Sequence, residues 1–333
     1  MTTSAGRAVA PGELAIAIDV GNSKTHVTAI DRSGELFGAV TGPGLFGLPR
    51  QPRQQLDTLL DLVEEMTGHR SGFDAACFAM AGLDIPQQEA EMAHLVDEAG
   101  VAGRIVVRND TFALLRTGSP SGDGVAVIAG AGINCVAVQG DAVVRFHSMG
   151  RKSGDWGGGW HVGEAALFAA SRAQDGRGAP TVLAQRIAEH FDVQSPLDVA
   201  EAIELGRLDD ARLVELAPLT FAAAEEGDTA AMAIVARLAD EVRLFVEVAT
   251  RRLGATHDEL PILLGGGLLQ SGSPLLLRLI TSPQKPGSQH LRVTVSDVPP
   301  IIGAVLLALD VLPDREAPTA QSLAAQFLRL SRR

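Results

Sequence analysis

Residues 14–32, LAIAIDVGNSKTHVTAIDR, decide the fold that we predict for this chain. A β-like apolar run from Leu14 to Asp19 stops at a turn of glycine and small polar residues, and a second β-like run, His26 to Ile30, follows. Apolar runs separated by a short polar turn are typical of β-hairpins. The stretch therefore predicts two hairpin-linked strands, with residues 35–41 as a third strand.

The same pattern returns at residues 124–141, GVAVIAGAGINCVAVQGD. Two copies of strand, glycine turn, strand and polar turn indicate an internal duplication, which is too few copies for a solenoid. Between the copies, apolar residues at helical spacing predict helices over 54–66 and 87–99. We therefore expect an α/β chain with two related lobes.

Length, charge and cysteine content limit the function classes. The chain has 333 residues, which suggests two domains, and 28 Lys and Arg against 40 Asp and Glu give a net charge of −12. So acidic a chain is a poor partner for nucleic acid or an anionic membrane surface. The two cysteines, Cys77 and Cys135, exclude a multi-cysteine metal site and fit a reducing compartment. No apolar run reaches the roughly 20 residues of a membrane span, so we expect a cytoplasmic protein.

The turn from Asp19 to Thr25 has the composition of a phosphate-binding turn. Backbone N–H groups of a glycine turn can point at phosphate oxygens, Lys24 adds positive charge, and Asp19 could hold Mg²⁺ through water. By itself, this composition fits an ordinary hairpin turn better. However, Gly130-Ala131-Gly132 lies at the matching place in the repeat, and Gly265-Gly266-Gly267 follows another apolar run. Together the three turns indicate a phosphate ligand.

Two common nucleotide motifs lack support. The P-loop pattern does not occur. Residues Gly42 to Gly47 match G-x-G-x-x-G, but Pro49 and Pro52 follow where the helix of a dinucleotide site should begin.

The order of the motifs resembles the N-acetylglucosamine kinase branch of the BadF/BadG/BcrA/BcrD-type ATPases, within the actin/hexokinase/Hsp70 superfamily. The resemblance covers nearly the whole chain and rests on Asp19–Thr25 (first phosphate motif), Met80–Leu83 (small-residue strand end), Asn109-Asp110 (catalytic aspartate), Ile128–Cys135 (second phosphate motif), Gly154–Glu164 (sugar segment), Leu264–Gly267 (adenosine motif) and Gly303-Ala304 (terminal helix).

The resemblance implies an α/β fold of two duplicated actin/ribonuclease H-like lobes, each a mixed sheet flanked by helices, with an interlobe cleft. The N-terminal lobe would span 12–117, and a C-terminal helix of about 305–330 would pack back onto it. The C-terminal lobe would span 118–304, with a helical insertion. The implied activity is ATP-dependent transfer of a phosphoryl group to the 6-hydroxyl of an amino sugar, with N-acetylglucosamine first and glucosamine or another hexose as the alternative. Mg²⁺ and a homodimer are implied as well.

The resemblance also assigns site residues. Phosphate and ATP contacts are implied for Gly21, Asn22, Ser23, Lys24, Thr25, Gly130, Ala131, Gly132, Gly265, Gly266 and Gly267. Sugar contacts are implied for Asn109, Asp110, Asn134, Asp155, Trp156, Gly157 and Glu164. Asp110 is the candidate catalytic base, although an Asp at the start of a helix can also be its N-cap. Asn134 could bond a sugar hydroxyl or satisfy its own turn.

The chain departs from the family pattern at two places. Glu164 occupies the position of the acidic sugar contact only if one residue is inserted, and Asp155 is the other candidate. We expect residues 154–163 to form a glycine-rich loop, with helix from Glu164 onward. The loop after the third strand has Leu45 and Phe46 where relatives carry an asparagine, which leaves room for glucosamine or another amino sugar.

Two readings of other classes remain. Some relatives are ATPases that activate an acyl-CoA reductase or dehydratase and hold an iron–sulfur cluster through cysteines, but Cys77 and Cys135 lie in apolar runs. A non-catalytic sugar sensor is the other alternative. The presence of Asp19, Lys24 and Asp110 argues against it, because none of the candidate catalytic groups is lost.

Overall fold

The computed structural model describes residues 10–283, 290–313 and 318–331. Contacts between residues divide the chain into two units. The first unit comprises Met1–Ala126, Val138–Asp141 and Ser296–Arg333, and the second comprises Val127–Ala137 and Ala142–Val295. The lobe boundaries at 12–117 and 118–304 stay predictions.

Strands form two sheets. In chain order they are β1 (Leu14–Val20), β2 (Lys24–Asp31), β3 (Leu36–Pro43), β4 (Ala75–Met80), β5 (Ile105–Asn109), β6 (Gly124–Ala129), β7 (Ile133–Gln139), β8 (Ala142–Arg145), β9 (Ile262–Gly265) and β10 (Val293–Val295). The first sheet has the order β3-β2-β1-β4-β5 and the second has the order β10-β9-β6-β7-β8.

Helices flank these sheets. They are α1 (Pro52–Thr67), α2 (Pro86–Glu98), α3 (Asp110–Gly118), α4 (Gly158–Gln174), α5 (Leu183–Phe191), α6 (Pro196–Glu204), α7 (Leu216–Glu225), α8 (Thr229–Leu253), α9 (Pro274–Thr281), α10 (Pro300–Asp310) and α11 (Ala320–Leu330). The prediction of an α/β chain with two mixed sheets flanked by helices is confirmed.

The first sheet is mixed, as the opening stretch predicts. Strand β1 pairs antiparallel with β2 and parallel with β4, and β4 pairs parallel with β5. Because parallel strands end at the same edge of a sheet, Asp19 in β1 and Asn109 at the end of β5 are brought to one edge. Asp110 directly follows Asn109 at this edge.

Alternation along β1 decides which helices cover each face of the first sheet. The large residues Ile16 and Ile18 are buried against the cluster that includes residues of α1 and α2. The small residues Ala15 and Ala17 face the cluster that includes α10 and α11. The small side chains of Ala15 and Ala17 let α10 pack closely against β1. Gly303 of α10 also lies against α3, where an added Cβ would be 1.9 Å from the Ala113 carbonyl oxygen.

Two helix predictions need correction. Where the sequence suggests one terminal helix over about 305–330, α10 ends at Asp310 and α11 begins at Ala320, and residues 314–317 lie outside the described residues. Helix α4 begins at Gly158 rather than Glu164, so residues 158–163, six of the ten in the expected glycine loop, are helical. Glycine lowers helix propensity, but close packing against neighbouring backbone outweighs it here.

No helix within the described ranges is both long enough and apolar enough to cross a membrane.

Candidate functional site

The turn between β1 and β2 is held in shape by the loop that follows β3. The turn closes with the Gly21 N–H donating to the Lys24 carbonyl at 3.0 Å. A short 3₁₀ helix, Leu45–Gly47, then attaches to it, because the Leu45 N–H donates to the Gly21 carbonyl at 2.9 Å. A Cβ on Gly44 would lie 2.2 Å from the Lys24 nitrogen, so only glycine allows this contact. Gly44 therefore supports the shape of the predicted phosphate turn.

Asp19 places a buried carboxyl beside this turn. It lies near the end of β1 with 7 % of its surface exposed. Burial raises its pKa to about 7, an effect that the positive charge of Lys24 partly offsets. Burial disfavours the ionised form of Asp19, and a bound cation would favour it. This fits the predicted role of Asp19 toward Mg²⁺.

Asp110 stands at the junction of β5 and α3. The N-cap of α3 is Asn109, whose Oδ1 accepts from the Thr111 N–H at 3.1 Å, so Asp110 is the first helical residue and not the cap. Burial and, after it, the negative charges of Asp19 and Asp84 together raise the pKa of Asp110 to about 8. Carboxyl groups that disfavour each other's ionisation accumulate at catalytic and cation sites.

Asn109 is engaged inside the protein. Its side chain is 1 % exposed and also donates from Nδ2 to Asp84 Oδ1 at 3.3 Å. Asp84 and Glu89, which contacts the Asn109 backbone, are residues that sequence reasoning missed. The available signal for Asp84 was its position directly after the Met80–Leu83 strand-end motif.

In the second unit, the turn from Gly130 to Gly132 packs against the start of α4. The Gly159 N–H donates to the Gly130 carbonyl at 2.7 Å, and the Trp160 N–H donates to the Ala131 carbonyl at 3.1 Å. Gly158 has a φ of +72°, and a Cβ there would lie 2.4 Å from the Gly132 carbonyl carbon. The start of the sugar segment thus defines the shape of the second predicted phosphate turn.

The glycine segment after β9 reaches the same region of the second unit. The Leu268 N–H, directly after Gly265-Gly266-Gly267, donates to the Ala129 carbonyl at 3.0 Å. Ala129 is the last residue of β6 and precedes the turn from Gly130 to Gly132. The three segments predicted to meet phosphate, sugar and adenosine therefore contact each other within the second unit.

Trp156 is a packed side chain. It is 9 % exposed, and the Arg237 guanidinium lies over its ring at 4.0 Å from the centroid. Gly157 precedes α4 with a φ of +144°, and its carbonyl lies 2.8 Å from His161 Nδ1. One face of the tryptophan ring is thus covered by a cation and not open for a sugar.

The candidate acidic residues of this segment have separate partners. The Asp155 carboxylate accepts from the Ser153 hydroxyl, and Glu164 forms an ion pair with Arg151. Asn134 Oδ1 accepts from the Cys135 N–H at 2.7 Å, a contact between neighbouring residues near the start of β7. Burial raises the pKa of Glu241, a residue of α8 that sequence reasoning missed and whose carboxyl interacts electrostatically with Asp155.

No group of three or more His, Cys, Asp or Glu suited to a metal ion occurs in the described part of the chain. A cation bound at Asp19 would therefore depend on water and phosphate oxygens for its other ligands, as Mg²⁺ commonly does.

A duplicated α/β chain with glycine turns after its strands and a raised-pKa aspartate at a sheet edge has the features of a nucleotide-dependent phosphotransferase. The BadF/BadG/BcrA/BcrD ATPase family model matches residues 16–308, and the chain belongs to this family. The resemblance inferred from the motifs is confirmed.

Named relatives point to sugar kinases. The N-acetylmuramic acid/N-acetylglucosamine kinase of Clostridium acetobutylicum is 25 % identical over 264 residues, which is 77 % of this chain and 85 % of that protein. The N-acetyl-D-glucosamine kinase of Dictyostelium discoideum is 24 % identical over 317 residues, which is 90 % of this chain and 98 % of that protein. A solved structure of a candidate N-acetylglucosamine kinase from Chromobacterium violaceum has a TM-score of 0.66 at 22 % identity and covers 89 % of this chain and 99 % of its own. These comparisons support an ATP-dependent sugar kinase.

Proposed function

We propose that the protein transfers the γ-phosphoryl group of ATP to the 6-hydroxyl of an amino sugar, with N-acetylglucosamine as the first candidate. The observation that carries the proposal is the placement of Asp110 at the β5–α3 junction, where burial and the charges of Asp19 and Asp84 raise its pKa. The names of the relatives support the substrate class.

Asp110 is the proposed general base. The sugar hydroxyl oxygen forms a bond to the γ-phosphorus, the bond between that phosphorus and the ADP oxygen breaks, and the hydroxyl proton passes to Asp110. A base works best when its pKa is close to the working pH, and a value of about 8 meets that condition. The raised pKa thus suits the residue to accept a proton near neutral pH.

Charge on the phosphates would be neutralised by Lys24 and by backbone N–H groups of the two glycine turns, Gly21 to Thr25 and Gly130 to Gly132. Asp19 would hold Mg²⁺ through water. The Mg²⁺ ion supplies charge neutralisation on the phosphate oxygens when it is bound. Gly265 to Gly267 would face the adenosine.

Sugar specificity is the finer part of the proposal. The Leu45–Gly47 helix lies on the phosphate turn, and Phe46 exposes 68 % of its surface there. An exposed aromatic ring offers an apolar face to a sugar ring or to an N-acyl methyl group. Glucosamine and other hexoses are the alternative substrates. Asn109, Asn134, Asp155, Trp156, Gly157 and Glu164 stay predicted sugar contacts.

The activator reading is disfavoured by the state of the cysteines. Cys77 and Cys135 are both buried, and burial raises the pKa of each thiol, so neither is available as a thiolate for a shared cluster. Because these cysteines are also unpaired and the chain uses ATP, we propose a cytoplasmic protein, and from the resemblance a homodimer.

The test is ADP release coupled to a spectroscopic readout. The sugars are N-acetylglucosamine, glucosamine, glucose, N-acetylmannosamine and N-acetylmuramate, with no sugar as the control. ADP release that depends strictly on an amino sugar, with a 6-phosphate product by ³¹P NMR, supports the proposal. Sugar-independent hydrolysis would favour the activator, and sugar binding without turnover would favour the sensor.

A further inference from the structure

We infer that Glu89 and Asp84 are positioning residues that hold Asn109, and through it Asp110, in the geometry needed for phosphoryl transfer. The inference rests on the proposed function. Neither carboxylate belongs to the residues to which we assign ATP or sugar contacts. Both are placed by the start of α2, a surface helix of the first unit.

Glu89 holds the backbone of Asn109. It lies in the first turn of α2 and is 6 % exposed. Glutamate side chains are rarely buried without a specific partner. Its Oε1 accepts from the Asn109 N–H at 2.7 Å, and Arg108 lies 3.4 Å from its other oxygen. The acceptor is therefore directed at the last residue of β5, which precedes Asp110.

Asp84 holds the side chain of the same asparagine. Its Oδ1 accepts from Asn109 Nδ2 at 3.3 Å, and its own N–H donates to Gln88 Oε1 at 2.9 Å. The amide of Asn109 is thereby oriented, because its Oδ1 is left to accept from the Thr111 N–H and hydroxyl, at 3.1 and 2.7 Å. Through these bonds Asn109 caps α3 at the residue directly before Asp110.

The two carboxylates therefore hold Asn109 from its backbone and from its side chain. Asp110 follows it immediately, so the direction of the Asp110 carboxyl depends on the backbone angles at this junction. A misplacement of about 1 Å can cost about 100-fold in turnover, and loss of an outer-shell hydrogen-bond partner costs about 10–100-fold at metal sites. Loss of the Glu89 acceptor should lower turnover without removing an ATP contact.

The experiment compares Glu89→Leu, which removes the acceptor, with Glu89→Gln, whose amide oxygen can still accept from the Asn109 N–H. Glu91→Leu, at an exposed carboxylate on the same helix, is the matched control. We expect kcat to fall about 10–100-fold in Glu89→Leu and to stay within about threefold in Glu89→Gln and Glu91→Leu, while the KM for ATP changes less than about twofold in all three. Hydrogen exchange of the peptide 105–112 should rise only in Glu89→Leu.

Several outcomes would overturn the inference. One is a folded Glu89→Leu protein with wild-type kcat, and another is a Glu89→Gln protein as impaired as Glu89→Leu, since the acceptor would then not be the cause. If Glu89→Leu does not fold, Asp84→Ala decides: a fall in kcat of about threefold or more together with faster hydrogen exchange of the peptide 105–112 supports the inference, and an unchanged kcat or unchanged exchange overturns it. A wild-type protein without kinase activity refutes the proposed function instead, and hydrogen exchange then still shows whether Glu89 holds Asn109.

Discussion

Replacing Asp19 with asparagine should change how the stability of the ligand-free protein depends on pH. The pKa of this carboxyl rises from its ordinary value of 3.8 to about 7 in the folded chain. A group with a raised folded pKa contributes stability that is fully present below the unfolded pKa and is lost as the pH rises toward the folded pKa. Wild-type protein should therefore lose the Asp19 contribution to its stability from about pH 4 to pH 7, and the variant should lack this part of the pH dependence.

The magnitude follows from the two pKa values. One pH unit inside this window corresponds to about 1.4 kcal/mol. Between pH 5 and pH 8, the free energy of unfolding of Asp19→Asn should therefore increase relative to wild type by about 2.5 kcal/mol. The cost of burying the asparagine amide is the same at each pH and cancels from this difference.

Urea unfolding at pH 5, 6, 7 and 8, in EDTA and without nucleotide, measures this difference. Circular dichroism is the appropriate signal, because both tryptophans, Trp156 and Trp160, lie in the second unit, whereas Asp19 lies in the first. Asp141→Asn, at an exposed turn residue, is the control for the loss of a carboxylate. A pH-independent difference for Asp19→Asn would refute the reasoning, because the folded carboxyl would then titrate as it does in the unfolded chain.

Three further predictions concern the proposed activity. Asp110→Asn should keep its circular dichroism spectrum and lose about 10²–10⁴-fold in kcat, and near-normal turnover would contradict its role as base. Gly158→Ala should weaken ATP binding at least about tenfold in calorimetry, because strain at its φ of +72° and a contact of 2.4 Å displace the adjoining turn; Gly176→Ala, with a φ of +81° and nothing within 4 Å, should bind ATP normally. Phe46→Ala should raise the KM for the sugar about tenfold and leave the KM for ATP unchanged, and the opposite pattern in steady-state kinetics would place this ring at the nucleotide.

Local patterns predicted most of the fold. Strand β1 and its hairpin partner are visible in the sequence because large and small apolar residues alternate with the period of a strand, and the polar turn lies between them. The start of α4 was missed because Gly157, Gly158 and Gly159 resemble a loop by propensity. Contact with the Gly130–Gly132 turn, which is distant in sequence, stabilises the helix there.

The candidate site also has features that the sequence predicts and features that depend on the tertiary structure. The sequence by itself determined the family and the two predicted phosphate turns and the Asn109-Asp110 pair as candidates, because these depend on residue types in a fixed order. Only the tertiary structure decided that Asp84 and Glu89 meet Asn109, since parallel pairing of β4 with β5 brings together residues 25 and 20 positions apart. It also decided the raised pKa values of Asp19 and Asp110, because burial and neighbouring charge, which cause those shifts, exist only after the chain has folded.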